Sequence, residues 1–194
     1  MQEIPWNLEN HPDYAGHQAW VLSQGIRTPR HLPPLGTAPL KATVSGGSRD
    51  LRCADFRCAT FIGNFDGADF SEANLYGADF TKSSLKGAIF RLSFLGESKM
   101  AGVDLTGAIF EDARLDLTDF RRANLTHTDM RTVIAMGVNF EGATLAGSDL
   151  RGGVFQSSLF RGANLRGCQV TYAKFQKADL TGADLGQILG TLDY

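Results

Sequence analysis

The sequence predicts an all-β solenoid, and three features of its 194 residues point there. A large apolar residue recurs every five positions, a small residue stands two places before it, and glycine often stands two places after it. From Phe65 to Leu185 this series runs through 25 positions, of which 24 hold Leu, Phe, Met or Val, Ala135 being the exception. At 43% apolar composition such a run arises by chance about once in a billion trials. The preceding small position holds 12 Ala, five Ser, three Val, two Gly, two Thr and Cys168, and Gly follows 12 times, from Gly67 to Gly182.

A period of five fits neither an α-helix nor a continuous strand. It fits a three-residue strand whose small and large residues share the inner face while the middle residue points out. The two remaining residues turn a corner, where Gly supplies a positive φ without steric cost. Winding this unit stacks the apolar side chains inside, and successive coils hydrogen-bond at about 4.8 Å. Upstream, Leu51, Phe56 and Phe61 continue the series. The step from Phe61 to Phe65 is four, which predicts a tightened turn near Ile62-Gly63-Asn64. Around Arg131 to Met136 the core position is Ala135, between Ile134 and Met136. Either a bulge flips the register there, or the coil presents apolar residues outward.

Ala73-Asn74-Leu75-Tyr76-Gly77, Ala78-Asp79-Phe80-Thr81-Lys82, Ala163-Asn164-Leu165-Arg166-Gly167 and Ala178-Asp179-Leu180-Thr181-Gly182 resemble the A(D/N)LXX units of pentapeptide-repeat proteins. The resemblance implies a right-handed quadrilateral β-helix of four units, or 20 residues, per coil, about 6–7 coils in all. Residues 20 apart then stack, giving one largely aromatic inner column (Phe80, Met100, Phe120, Phe140, Phe160, Leu180) and one nearly pure leucine column beginning Phe65, Leu85, Leu105. The resemblance further implies a structural role for the middle Asp or Asn. Similar proteins are abundant in cyanobacteria, some of them regulatory through protein contacts.

The chain divides into a non-repeat segment 1–48, the repeats 49–187 and a tail 188–194. In the first segment Asp13 caps an expected helix running to Gln24, followed by an extended linker holding Pro29, Pro33, Pro34 and Pro39, and a Ser45-Gly46-Gly47-Ser48 joint. An open β-helix end invites aggregation. This segment therefore reads as a cap, with Trp6, Trp20 and Leu22 covering the first coil, or alternatively as a partner-binding arm. At the other end Ile188, Leu189 and Leu192 close the last coil or support a homodimer through a solenoid end.

Net charge −2 and pI near 6.1 give no footprint for direct nucleic-acid or membrane binding. Three cysteines without a pairing scheme, and a start lacking a signal-peptide pattern, fit a cytoplasmic protein. Catalytic constellations are weak. His11, His17 and His31 lie before the repeats, and His127 sits at a corner. Stacked Asp129 and Asp149, or Asp79 and Asp119, resemble the acid pairs of β-helix polysaccharide enzymes, but the uninterrupted repeat leaves no loops to build a cleft. Cys53 and Cys58 lack a second pair for zinc. No catalytic residue, metal or cofactor is expected.

Surface remains. Leu92, Phe94, Leu117, Ile134, Met136, Val154 and Tyr172 fall on one outward face and its corners, a candidate partner-binding patch. Arg91, Arg131 and Arg151 in one column, with Arg121 and Arg161 in another, form either a basic strip or a solvated mixed-charge surface. These features favour a non-enzymatic interaction or regulatory module with a protein partner. The alternative that the resemblance supplies is a DNA mimic acting on DNA gyrase. From Leu51 to Tyr194 the chain holds 17 acidic and 15 basic residues, too balanced for a phosphate-like face.

Overall fold

The computed structural model describes Thr43–Ser45 and residues 50–193. The expected helix, the proline-rich linker and the tryptophan cap lie outside them. The described chain is all β and winds into the expected β-helix of four-faced coils. Middle residues of the pentads pair in parallel at a step of 20, as in Asp129↔Asp149 and Ile134↔Val154. Each coil is tied to the next in a repeating way: Lys99 donates its N–H to the Ala78 carbonyl (2.8 Å) and its carbonyl accepts the Phe80 N–H (2.9 Å). At ~4.8 Å per coil, about seven coils make a rod roughly 34 Å long.

Most corners are closed by a turn bond such as Ala143 N–H to Phe140 carbonyl, 2.9 Å. The second corner residue is left-handed, from φ 56° at Cys58 to φ 72° at Gly182, the mark of a type II turn. The preference for Asp or Asn at the middle position follows from the first corner residue. Its amide would otherwise face solvent, and the middle side chain accepts it two residues back: Asp69 from Ser71 (2.9 Å), Asp79 from Thr81 (3.0 Å), Asn164 from Arg166 (3.0 Å). A short side chain that bonds its own backbone in this way is an Asx turn.

Inside, the large residues stack by column. Phe120, Phe140 and Phe160 lie nearly parallel with centroids 5.4 and 4.7 Å apart, and Phe70, Phe90 and Phe110 do so at 5.0 and 4.9 Å. Buried hydroxyls in the small slot link coils. Ser158 donates to the Ala135 carbonyl (2.7 Å) and accepts the Val138 N–H (3.0 Å). Ser98, in the same column of slots, is the exception, its hydroxyl being buried without a partner among the described residues.

Two irregularities resolve. Near Ile62 the expected tightened turn is absent; the chain instead crosses that corner extended. Strands β1 (Thr43–Ser45), β2 (Thr60–Asn64) and β3 (Asp79–Ser84) form a parallel sheet there. Phe61 stacks on Phe80 at 4.3 Å, while Ile62 pairs with Lys82, so Thr81 is left opposite no residue. One residue fewer leaves too little chain for a four-residue turn, and a bulge in β3 absorbs the mismatch. β1 itself pairs with β2 at Val44↔Phe61 without any pentapeptide signature, three residues being too short to carry one.

At Ala135 there is no register flip. Val133 and Ala135 are fully buried, and Ile134 points outward between Arg114 and Val154. The lost volume is made up one coil on, where Gly153 lets the Phe155 ring fold inward. A Cβ on Gly153 would lie 2.6 Å from Phe155 Cε2. The two ends of the rod differ. Leu51, Phe56 and Phe65 are buried, whereas Leu180, Leu185, Ile188 and Leu192 are only partly buried.

Candidate functional site

Five of the seven apolar candidates form one continuous patch. Ile134 and Val154 are paired neighbours on adjacent coils. Met136 follows Ile134 in the same coil, and Leu117 lies against Gly137, its Cδ2 3.0 Å from where a Cβ would stand. Phe94 joins Leu117 across a recess of about 90 Å³ lined also by Tyr76 and Arg114. Leu92 lies at the corner of the Phe94 coil and is exposed. Tyr172, 85% exposed, falls four coil steps on in the same corner column and stands apart from the patch. In their column Arg114 stands between Phe94 and Ile134, so Phe94 meets the patch through Leu117, and Lys174 follows Val154.

The arginines are drawn into pairs. Arg91 and Arg131 share Glu111 at 2.9 and 2.8 Å, and Arg131 also reaches Asp129 at 2.7 Å. Arg151 pairs with Asp149, Arg121 with Asp119 and Arg161 with Asp179. The corner residue Arg reaches back to the middle Asp two positions earlier, so the same carboxylate that caps the turn also holds the guanidinium. The column of Arg91, Arg131 and Arg151 is accordingly a mixed-charge lattice.

The acid pair Asp129 and Asp149 is held by these arginines. Burial works against ionisation of Asp149, yet hydrogen bonds from Arg151 and the nearby positive charges outweigh it and keep the carboxyl below its ordinary value. A general acid needs the opposite shift. His127 is an exposed corner residue whose ring lies over Gly147. Cys53 and Cys168 are buried, and burial raises both thiols to about 11. Cys168 Sγ lies 3.0 Å from the Leu145 carbonyl. Among the described residues no group of three His, Cys, Asp or Glu is placed to hold a metal ion.

Arg122 and Glu141 were not singled out by the sequence. Together with Ala101, Gly102, Arg121, Gly142 and Arg161 they line a recess of about 630 Å³ at one corner of the rod. Its sequence signal is the alternation, at a spacing of 20, of Gly102, Arg122 and Gly142.

Fold and surface together define a β-solenoid whose outward side chains recur on a lattice with a step of 20 residues. Pentapeptide-repeat models match in eight copies over residues 54–91, 98–134, 136–168 and 154–187, which is more than half of the chain, and the chain belongs to the pentapeptide-repeat family. A pentapeptide repeat protein from the Arabidopsis thaliana thylakoid lumen is similar at 30% identity and TM-score 0.47, the match covering 48% of this chain and 66% of that one. QnrB1, a plasmid-mediated fluoroquinolone resistance protein, is similar at 18% identity and TM-score 0.36, over 79% of this chain and 89% of its own. HetL, a protein of the cyanobacterium Nostoc sp. strain PCC 7120 involved in heterocyst differentiation regulation, is similar at 25% identity and TM-score 0.26, over 77% and 83%. No curated protein matches the chain.

Proposed function

We propose that the chain is a non-enzymatic protein–protein interaction module. The observation that supports this reading is the continuous outward patch of Phe94, Leu117, Ile134, Met136 and Val154, with Leu117, Ile134 and Met136 exposed at 61%, 39% and 46%. The hydrogen-bonded coils beneath it leave little backbone freedom to lose on docking, which favours recognition by shape. Burying apolar side chains of this kind on a partner contributes about 25 cal/mol per Å².

The test is capture from host lysate with wild type beside an Ile134→Asp/Val154→Asp variant of verified circular dichroism. The captured protein is then purified and titrated against both. Loss of binding in the folded variant supports the reading, and equal binding by both removes the patch from it. Inhibition of gyrase supercoiling at stoichiometric protein would replace it with the DNA-mimic reading, which the arginine–carboxylate pairing does not favour.

A second copy of the chain is the other partner that a specific observation favours. At the C-terminal end the Leu180 and Leu185 amides have no acceptor among the described residues, and their side chains are only partly covered. Light scattering of wild type and Leu185→Glu tests this. A dimer that becomes a monomer in the variant supports it, and a monomeric wild type at high concentration overturns it.

A further inference from the structure

Two outward side chains on one face are buried where their equivalents elsewhere are not. Asp55 and Asn74, neighbours in the column that continues to Phe94, are the two middle-position residues that are buried among those described. Arginine pairing does not account for Asp55. Asp119, Asp129 and Asp149 pair with an arginine two residues on just as Asp55 does, yet they keep 26%, 25% and 17% of their side-chain surface exposed, against 6% for Asp55. Asp55 also lies in the first coil, bridged on one side only among the described residues, where exposure should be greater. Cys53, on the adjoining corner, is 3% exposed, whereas second-corner residues elsewhere are half-buried or exposed. What covers this face lies outside the described residues.

Position and length select the cover. β1 runs parallel to β2, so the chain reaches Thr43 from the side of the face that carries Asp55. From the coil of Thr43 to that of Leu117 is four coil steps, ~19 Å, which about six extended residues span. The 42 residues before Thr43 exceed that reach several times over. Residues 46–49 are taken up in joining Ser45 to Asp50, and Asp193 stands seven steps from Asp55 at the far end of the same column. Further along the face, Tyr76, Phe94 and Leu117 line the recess of about 90 Å³, with Arg114 and Asp116 paired at its rim. That volume is far below the ~300–1,000 Å³ of ligand pockets and suits a single side chain. Trp6 and Trp20, the two tryptophans of the chain, both precede Thr43.

We infer that residues 1–42 lie along this face and seat a tryptophan side chain between Tyr76, Phe94 and Leu117. Phe94 and Leu117 belong to the apolar patch, so the segment and a docking partner compete for them. That competition rests on the interaction reading; the seat itself does not.

The test is tryptophan fluorescence of the full chain, which reads this segment alone. Acrylamide quenching in the native chain is expected to be about threefold weaker than in urea, as for indoles packed on apolar surface. Phe94→Asp/Leu117→Asp raises native quenching to the urea level. Asp is common at the middle position and Asp112 holds the second corner at φ 58°, so the rod accepts both changes, and circular dichroism verifies folding. Leu117→Asp alone, at an exposed corner, raises quenching part of the way. Ile134→Asp/Val154→Asp, one and two coils further on, leaves it unchanged. Urea-level quenching in native wild type, weak quenching retained in folded Phe94→Asp/Leu117→Asp, or an equal rise in Ile134→Asp/Val154→Asp overturns the seat and leaves partner capture standing. The captured partner is expected to bind Trp6→Ala/Trp20→Ala about tenfold more tightly than wild type, the segment being gone from its seat. Equal affinity overturns the competition.

Discussion

Ser98→Ala and Ser158→Ala are the same chemical change in the same column of inward slots, three coils apart, and the structure gives them opposite signs. At Ser93 and Thr128 the slot hydroxyl bonds the carbonyl three residues back, but the corresponding Leu95 carbonyl already takes the Ser98 N–H at 2.9 Å and Thr118 Oγ1 at 2.8 Å. The hydroxyl is therefore buried without a bond, a state that costs about 1–3 kcal/mol. Alanine fills this slot at Ala78, so the methyl fits, and the substitution is expected to stabilise by about 1 kcal/mol. Ser158 makes two bonds, to the Ala135 carbonyl and from the Val138 amide, and losing both costs about 1–2 kcal/mol. With an unfolding entropy of roughly 2.1 cal/mol/K per residue over about 150 residues, each kcal/mol moves Tm by about 3 °C. Calorimetry is expected to show Ser98→Ala about 3 °C above wild type and Ser158→Ala about 3–6 °C below it. At ~14 Å apart the two shifts add in the double variant. A lower Tm for Ser98→Ala, or one sign for both, refutes the reasoning.

Thr132 holds φ 57° with a β-branched side chain; Thr132→Gly relieves that strain, and after glycine's larger entropy loss a gain of about 0.5–1 kcal/mol is expected in urea denaturation. Asp50, Asp79, Asp104, Asp119, Asp149 and Asp179 all titrate below the ordinary carboxylate value, Asp179 at about 2 through bonds from Thr181 and then Arg161. Depressed folded values mean that their stabilisation is full above pH ~4 and is lost as pH falls through the folded values, so urea midpoints are expected to drop steadily from pH 5 to pH 2. A flat profile over that range contradicts the Asx and arginine bonds. Of the three free thiols Cys58 alone is exposed. With Cys53 and Cys168 raised to about 11, a disulfide reagent at pH 8 is expected to titrate one thiol in the native protein and the other two only on unfolding.

The five-residue rhythm made the inward large and small positions and the outward middle positions legible, because each depends on residues no more than one pentad apart. Placing Ile134 beside Val154 needed the four-unit coil that the family resemblance implies, and the parallel pairing at a step of 20 agrees with it. The straightened corner at Ile62 was not. A missing residue can be absorbed by a tighter turn or by a bulge in the neighbouring coil, and that choice rests on contacts between Phe61 and Phe80. Pairing of the arginines was half legible. Asp119 and Arg121, or Asp149 and Arg151, stand two apart in sequence, but Arg91 meets Glu111 only across coils. Arg122 and Glu141 escaped notice because the corner recess they line forms only when residues about 20 apart stack.

The step of 20 between paired middle residues gives this chain an arithmetic that length changes must obey. Removing 20 residues from within the rod shortens it by one storey and returns every later side chain to its own wall. Removing five turns everything downstream by a quarter, so that Ile134 and Val154 would look out from one wall and Leu117 from another. Removing one reverses inside and outside beyond the cut, unless a bulge like that of β3 takes up the difference. Surfaces on such a rod are thus inherited as addresses, and a lineage can lengthen or shorten it by whole storeys while every wall keeps its message.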